Sequence, residues 1–397
     1  MQVTLAQRST ESLPGTSAGA PPVVNWTEGG VARSARWRSE SDAPPPKRLV
    51  IADDWMTADD AYGLACQGTV LLWRGDFQNA RQMLVAMGSR ADRPSRKARP
   101  AVASPAEAFH LYRQAQSQRA RTLGMLLVPL DEDYGIPLRR APDIRQACVE
   151  AWGPGEGASI ASLRSLLGIV GAHEWRVAGI EIPAVGGRIH AHYGVFAPVR
   201  REYVDLVAEA PLPPRTASRS VAFDIGTGTG VLAAVLARRG IERVVATDLD
   251  PRALACTREN VERLGMAGQI DVVQRDLFPA GQAAVVVCNP PWVPARPSSA
   301  LERAIFDPDS RMLRGFIEQL HAHLEPGGEG WLILSDFAEH LGLRTRDELL
   351  AAFDAAGLTV AGRMDARPRH PKASDETDPL HAARAAEITS LWRLVAR

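Results

Sequence analysis

The chain has 397 residues, enough for two domains that each bury an apolar core. Its 46 basic and 46 acidic residues balance, so the overall charge gives no indication of a nucleic-acid or membrane partner. The four cysteines are scattered without a CxxC pair, which argues against a disulfide or zinc framework. Because neither a signal peptide nor an apolar run of bilayer length is found, we expect a cytoplasmic protein without membrane contact.

The first half of the chain predicts a leader followed by a folded domain. Residues 1–47 are rich in Ser, Gly, Pro and Ala and lack a sustained apolar period, which predicts a disordered leader. Residues 48–171 alternate between helical and strand-like patterns. The clearest helix start is Ser104, with Pro105 in the first turn and Glu107 three residues after the cap. We expect a mixed α/β accessory domain here, of a fold that the pattern does not assign.

The second half, 172–397, predicts a layered α/β domain. Residues 174–196 alternate in polarity on both sides of Val185-Gly186-Gly187, which predicts an entry hairpin. From Ser220 onward seven strands follow, mostly separated by helices, as in a parallel sheet with crossovers on both faces. No helix is expected between the last two strands, so the last should be antiparallel. The prediction is a Rossmann-like, seven-stranded doubly wound sheet with an antiparallel last strand.

A glycine-rich turn separates the first strand of this sheet from its helix. "FDIGTGTGV" contains Gly226, Gly228 and Gly230, with Thr227 among them. Glycines at such a turn let the backbone approach a ligand, and the helix N-terminus offers free N–H groups. Asp248 ends the next strand, within reach of ribose hydroxyls at the switch point. The pattern therefore predicts an adenosine-containing ligand.

Two further carboxylates indicate which adenosine ligand this is. Asp224 precedes the glycines, where its charge would disfavour a pyrophosphate and suit an ammonium group. This favours S-adenosylmethionine, which carries an ammonium group and no phosphate. The third strand ends in "RDLF", where Asp276 is placed to accept from the adenine amino group and Leu277 to lie against the ring. A surface turn is the alternative interpretation of Asp276.

The fourth strand ends in "NPPW", an amide followed by two prolines and a tryptophan. "DIGTGTG", "TDLD", "RDLF" and "NPPW", in this order and spacing, resemble the class I S-adenosylmethionine-dependent methyltransferases. More narrowly, they resemble the methyltransferase small domain subgroup with an (N/D)PP(Y/F/W) motif. That subgroup includes glutamine methyltransferases of release factors and ribosomal proteins, and amino-group methyltransferases of nucleic acids. The resemblance covers roughly residues 175–397.

The resemblance implies roles for the four residues of this motif. The side-chain oxygen of Asn289 and the carbonyl of Pro290 would accept both N–H bonds of an amide or aromatic amine. Pro290 and Pro291 would hold these acceptors rigidly before the substrate arrives. Trp292 would stack on the planar target group. Positioning of this kind requires no metal ion. The usual residue at the last position is Tyr or Phe.

The resulting hypothesis is an N-methyltransferase that acts on an amino or amide nitrogen of a macromolecule presented by the N-terminal domain. Eight basic residues between Met87 and Arg121 favour RNA as the substrate: Arg90, Arg93, Arg96, Lys97, Arg99, Arg113, Arg119 and Arg121. A solvated loop and helix face in an arginine-rich chain is the alternative interpretation of this window. A protein glutamine is the close alternative. More remote alternatives are an NAD-dependent oxidoreductase that shares the glycine turn, and a binding module without catalytic activity.

Overall fold

The computed structural model describes residues 22–40, 43–93, 104–214, 220–297, 301–369 and 374–397. The first sheet contains β1 (Val23–Glu28), β2 (Val31–Arg38), β3 (Leu49–Ala52), β4 (Val70–Trp73), β5 (Leu126–Leu130) and β6 (Ser159–Ser162). The helices of this part are α1 (Ala58–Cys66), α2 (Phe77–Ala91), α3 (Pro105–Leu123), α4 (Arg145–Trp152) and α5 (Leu163–Ala178). The strand order is β1-β2-β6-β5-β4-β3, so the accessory domain is itself a layered α/β unit.

The prediction of a disordered leader was wrong for residues 23–38. These residues form β1 and β2, an antiparallel hairpin whose second strand pairs in parallel with β6. Two glycines, Gly29 and Gly30, make the turn with φ of 57° and 78°. Residues 1–21, which the same prediction covers, lie outside the described residues. The hairpin thus belongs to the sheet of the accessory domain.

The second domain begins with a short hairpin and contains the predicted seven-stranded sheet. Its strands are β7 (Ile180–Ile182), β8 (Gly187–Ile189), β9 (Val221–Ile225), β10 (Arg243–Asp248), β11 (Ile270–Gln274), β12 (Ala283–Cys288), β13 (Leu324–Ser335), β14 (Leu358–Ala366) and β15 (Thr389–Ala396). Its helices are α6 (Glu202–Glu209), α7 (Val231–Arg238), α8 (Pro251–Arg263), α9 (Arg311–His323), α10 (Phe337–His340), α11 (Arg346–Ala355) and α12 (His381–Ala386).

The order of the large sheet is β11-β10-β9-β12-β13-β15-β14, with β7 and β8 paired separately. Strands β9 to β13 run parallel, and β15 is antiparallel to both of its neighbours. The predicted sheet and its antiparallel last strand are confirmed. The edge, however, is β14, because β15 inserts between β13 and β14. The short helix α12 precedes β15, where no helix was predicted.

The predicted boundary between the domains and the start of the hairpin were both wrong. Residues 163–178 form the single helix α5, so a boundary at residue 171 or 172 falls inside a helix. The hairpin itself spans only residues 180–189. The pattern misled because Trp175 and Val177, which are 57% and 67% exposed, imitate strand alternation on the outer surface of a helix.

Both domains have buried apolar cores beneath their sheets. Trp73, Phe77 and Tyr134 are buried in the core of the first domain. The second domain has two large clusters, one containing Phe223 and Phe316 and the other Trp331. Among the described residues, no helix is both long and apolar enough to span a membrane.

A network of charges joins α5 to α8 at the junction between the domains. Glu259 on α8 accepts from Arg176 and from His192, each at 2.7 Å, and from Arg263 at 2.8 Å. Burial acts to raise the pKa of Glu259, but these hydrogen bonds outweigh it and lower the pKa to about 2. Arg176 also lies 3.2 Å from Glu150 of α4, so the network extends into the accessory domain.

Glu259 is therefore expected to stabilise the fold in a pH-dependent way. Its pKa is lower in the folded chain than its ordinary value of 4.5. Its contribution to the free energy of unfolding is thus complete above about pH 4.5 and is lost as the pH falls towards 2. We expect Glu259→Gln to lower the Tm by about 2–4 °C at pH 7 and by roughly half as much at pH 3. Glu262→Gln, an exposed carboxylate on the same helix, is the control, and an equal loss at both pH values would contradict this account.

Candidate active site

A cleft of about 1980 Å³ lies between the two domains, and both contribute to its wall. It opens at the carboxyl ends of β9, β10 and β12, where an open α/β sheet binds its ligands. All the predicted site residues lie on the wall except Asp224 and Gly230, which lie behind it. Nine arginines and seven carboxylates share the wall: Arg38, Arg113, Arg121, Arg164, Arg200, Arg275, Arg303, Arg311, Arg384, Glu40, Asp248, Asp250, Asp276, Glu302, Asp307 and Glu387.

The glycine turn between β9 and α7 has the backbone that the sequence predicts. Gly226 has a φ of 72°, a left-handed conformation that favours glycine. A Cβ atom at this position would lie 2.3 Å from Cε of Met312, so the end of that flexible side chain would have to move to admit one. The N–H groups of Gly226 and Thr227 both donate to the carbonyl of Thr247 on β10. The turn is therefore fixed against the neighbouring strand and faces the cleft.

Asp224 supports this turn from behind and does not face the ligand space. Its Oδ2 accepts from the hydroxyl of Thr227 at 2.6 Å and from the N–H of Ala233 at 3.0 Å. Burial raises the pKa of this carboxyl to about 6, although the two hydrogen bonds act in the opposite direction. The placement differs from the predicted contact with an ammonium group. Asp224 acts instead as a brace between the turn and the first turn of α7.

Asp248 lies on the cleft wall at the end of β10, as predicted. Its Oδ2 accepts from the N–H of Gly228 at 3.1 Å and its Oδ1 from the N–H of Asp250 at 2.9 Å. Burial raises its pKa, and these hydrogen bonds oppose the shift. Each carboxylate oxygen retains further acceptor capacity. Asp248 thus offers acceptors that fit two hydroxyl groups of a ribose, as expected for an adenosine ligand.

Asp276 and Leu277 line the same part of the cleft but are held by contacts that the sequence does not reveal. Arg311, at the start of α9, forms an ion pair with Asp276. Leu277 has a φ of 69°, and its carbonyl accepts from the hydroxyl of Thr247 at 2.7 Å. An adenine amino group would therefore share Asp276 with Arg311. Nothing in the sequence around residue 276 pointed to a partner on a helix that begins 35 residues later.

The motif Asn289 to Trp292 follows β12 directly and lies on the cleft wall. The indole N–H of Trp292 donates to Oδ1 of Asn289 at 2.9 Å. An amide oxygen has two lone pairs, so one remains for a second donor. The contact with Trp292 was not predicted, and the role of Asn289 as the acceptor for a substrate N–H stays a prediction.

The accessory domain closes the cleft over the segment that follows this motif. Phe109 of α3 is 3% exposed and packs with Val293 in an apolar cluster. Arg113 donates to the carbonyl of Arg296 at 2.7 Å, and its guanidinium lies 3.9 Å from the ring centre of Phe306. The N-terminal half therefore forms the second wall of the candidate active site.

Several basic residues of the predicted RNA-contacting window are occupied within the chain. The ion pairs are Arg90–Asp59, Arg113–Glu302 and Arg119–Asp92, with N–O distances of 2.6, 3.1 and 2.7 Å. Arg96, Lys97 and Arg99 lie outside the described residues. Phosphate contacts would have to compete with the carboxylates of these pairs. The preference for RNA stays a prediction.

Comparison with known proteins finds similarity for part of the second half of the chain. Residues 186–356 match the family described as methyltransferase small domain. A ribosomal protein L11 methyltransferase of Pelotomaculum thermopropionicum is 38% identical over 144 residues, which are 36% of this chain and 39% of that protein. A release factor glutamine methyltransferase of Cereibacter sphaeroides is 35% identical over 150 residues, covering 36% of this chain and 50% of that protein.

The alignments thus span half or less of these two relatives. Among solved structures, a ribosomal protein L11 methylase from Lactobacillus delbrueckii subsp. bulgaricus aligns with 49% of this chain and 76% of its own. That alignment has 17% identity and a TM-score of 0.33.

Proposed function

We propose that this chain, whose C-terminal domain is a class I S-adenosylmethionine-dependent methyltransferase domain, methylates an amide or amino nitrogen of a protein side chain. The observation that carries the proposal is Asn289, which lies on the wall of the same cleft as the glycine turn and Asp248. The amide oxygen of an asparagine beside a cofactor site can accept a hydrogen bond from the group to be methylated. This suits a target nitrogen that carries two N–H bonds. A hydride transfer would give Asn289 no such role, so the oxidoreductase alternative is set aside.

The protein's own residues would act by binding and orientation. Asp248 would accept from the ribose hydroxyls, and the turn at Gly226 would let the backbone approach the rest of the cofactor. When bound, S-adenosylmethionine supplies a methyl group on a positively charged sulfur. Asn289 would accept one N–H of the target group and turn the nitrogen towards that end of the cleft. The nitrogen would gain the methyl group as the bond between the methyl carbon and sulfur breaks, with its electron pair left on a then neutral sulfur, and would release one N–H proton to solvent.

Three observations support a protein substrate over RNA. The cleft wall carries nine arginines against seven carboxylates, a balance unlike the positive surface that a phosphate backbone requires. Arginines of the basic window are paired with carboxylates. The two relatives described above are named for a ribosomal protein and for a release factor glutamine. Among protein side chains with an amide or amino nitrogen, we favour the amide of glutamine. An amide nitrogen is a weak nucleophile, so its methylation depends most on a residue that orients it.

The substrate class can be tested with S-adenosylmethionine labelled in its methyl group. The purified chain is incubated with an extract of cells that lack the gene, and the product is divided between nuclease and protease treatment. We expect the label to survive nuclease and to be lost with protease. Acid hydrolysis should then release labelled methylamine, because only a methylated amide yields that product. The Asn289→Ala chain provides the blank.

Each other outcome has a definite meaning. Label that is lost after nuclease treatment alone would indicate that the substrate is RNA and not protein. Protease-sensitive label without methylamine would indicate a side-chain amine in place of an amide. Equal label with the wild-type and the Asn289→Ala chains would refute the proposed role of the motif.

A further inference from the structure

The tryptophan of the motif makes a contact that phenylalanine or tyrosine could not make at the same position. Its indole N–H donates to Oδ1 of Asn289, three residues earlier, across 2.9 Å. Phenylalanine has no N–H group, and the hydroxyl of tyrosine lies at the far end of its ring. The nitrogen of an amide group cannot accept a hydrogen bond from an indole. The contact therefore distinguishes the two ends of the Asn289 amide.

The indole is itself held by charged groups from distant parts of the chain. The guanidinium of Arg200 lies 5.2 Å from the ring centre of Trp292, within the range of a cation–π contact. Arg200 donates to Glu202 at 2.7 Å and to Glu387 at 3.0 Å. Both carboxylates are nearly buried, with side chains 7% and 3% exposed. Ser335 donates to the same oxygen of Glu387 at 2.8 Å.

This arrangement matters because an asparagine amide can present either end to the cleft. With Oδ1 towards the substrate, Asn289 accepts an N–H bond. With its NH₂ group towards the substrate, Asn289 would place a hydrogen-bond donor against the N–H donors of the substrate. An aspartate at the same position has two equivalent oxygens and no wrong orientation. A fixed amide is thus needed only when the residue is asparagine.

We propose that Trp292 is a positioning residue, whose indole N–H holds Oδ1 of Asn289 in the orientation that accepts the substrate nitrogen. Arg200, anchored by Glu202 and Glu387, keeps the indole in place. The inference rests on the proposed function, because it assigns a role in orienting the acceptor group. It differs from simple stacking, which any aromatic ring at this position would provide.

Trp292→Phe separates the two roles, because phenylalanine keeps the aromatic surface and removes the N–H group. We expect kcat for label transfer from S-adenosylmethionine to extract protein to fall about three- to tenfold, as when one hydrogen bond of ordinary strength is lost. The KM for S-adenosylmethionine should stay within about twofold, since Trp292 belongs to the acceptor side of the cleft. In the Asn289→Asp chain, the same substitution should change kcat by less than about twofold, because no amide remains to be oriented.

A second measurement examines the contact without any turnover. Hydrogen exchange of the indole N–H groups can be followed by nitrogen-15 NMR, with Trp292→Phe identifying the signal of Trp292. We expect this proton to exchange at least about tenfold faster in the Asn289→Ala chain. Trp331 is the internal control, because its indole N–H donates to Glu329 at 2.9 Å and should not respond.

The outcomes separate this inference from the function on which it rests. An unchanged kcat in Trp292→Phe, or an equal loss in the Asn289→Asp background, would overturn the positioning role. An exchange rate that does not depend on Asn289 would overturn it as well. If the wild-type chain transferred no label at all, the proposed function would fail, and the exchange measurement would still decide whether Trp292 holds Asn289.

Discussion

Asn289→Ala is expected to lower the rate of methyl transfer about 100- to 1000-fold, the usual effect of removing one preorganised polar partner from an active site. Cofactor affinity should change by less than about twofold, because Asn289 would contact the acceptor and not the adenosine. Initial rates with labelled S-adenosylmethionine, together with calorimetric titration, would measure both quantities.

The matched control for this variant is Gln274→Ala. Gln274 ends β11 with an amide whose Nε2 donates to the carbonyl of Leu249 at 3.2 Å, and it is not on the cleft wall. Its loss removes an amide from the end of a neighbouring strand and should leave the rate unchanged. A rate loss below about tenfold for Asn289→Ala would show that the motif contributes structure and little catalysis.

Asp248→Ala should have the second large effect, raising the dissociation constant for S-adenosylmethionine at least about 100-fold. Two hydrogen bonds from ribose hydroxyls to a carboxylate contribute about 1.5–3 kcal/mol each. The substitution also removes the acceptors of the Gly228 and Asp250 N–H groups, which loosens the glycine turn. Both effects weaken binding in the same direction. Calorimetric titration of S-adenosylmethionine is the direct measurement.

Asp271→Ala is the control for Asp248→Ala. Asp271 is a carboxylate on the neighbouring strand β11, paired with Arg243 at 2.6 Å and absent from the cleft wall. Its removal should leave the cofactor dissociation constant within about twofold. Similar affinities for both variants would show that the adenosine site lies elsewhere.

The sheet and the contents of the cleft could be predicted because their signals are local. Each predicted loop directly follows one strand of a parallel sheet, and parallel strands bring their carboxyl ends together. The glycine turn, Asp248 and Asn289 therefore share one cleft as soon as the strand order is right. Alternation of strand and helix was enough to predict the parallel sheet, but the order of its strands, with β15 between β13 and β14, was not predicted.

The structural features that were not predicted depend on contacts between residues that are far apart in sequence. Strand β2 is ordered by pairing with β6, whose residues lie more than 120 positions later, as in the pair Arg36 and Ser159. Its residues are half-exposed or exposed, so they show no apolar period. The available signal was the Gly29–Gly30 pair, a typical two-residue hairpin turn. Likewise, Arg200 and Glu387 are 187 residues apart, and only folding shows that they meet beside the motif.

The packing of α3 against the segment after the motif limits how this protein can be rearranged in evolution or in the laboratory. Phe109 fills an apolar cluster whose other buried members are Val293, Phe337, Leu341 and Leu380, all from the C-terminal half. A fragment cut off before α5 would expose that cluster to water. Exchange of N-terminal halves between relatives would succeed only where the incoming helix carries a comparable aromatic residue. The N-terminal half should therefore vary through substitutions within the existing domain more readily than through its replacement by another domain.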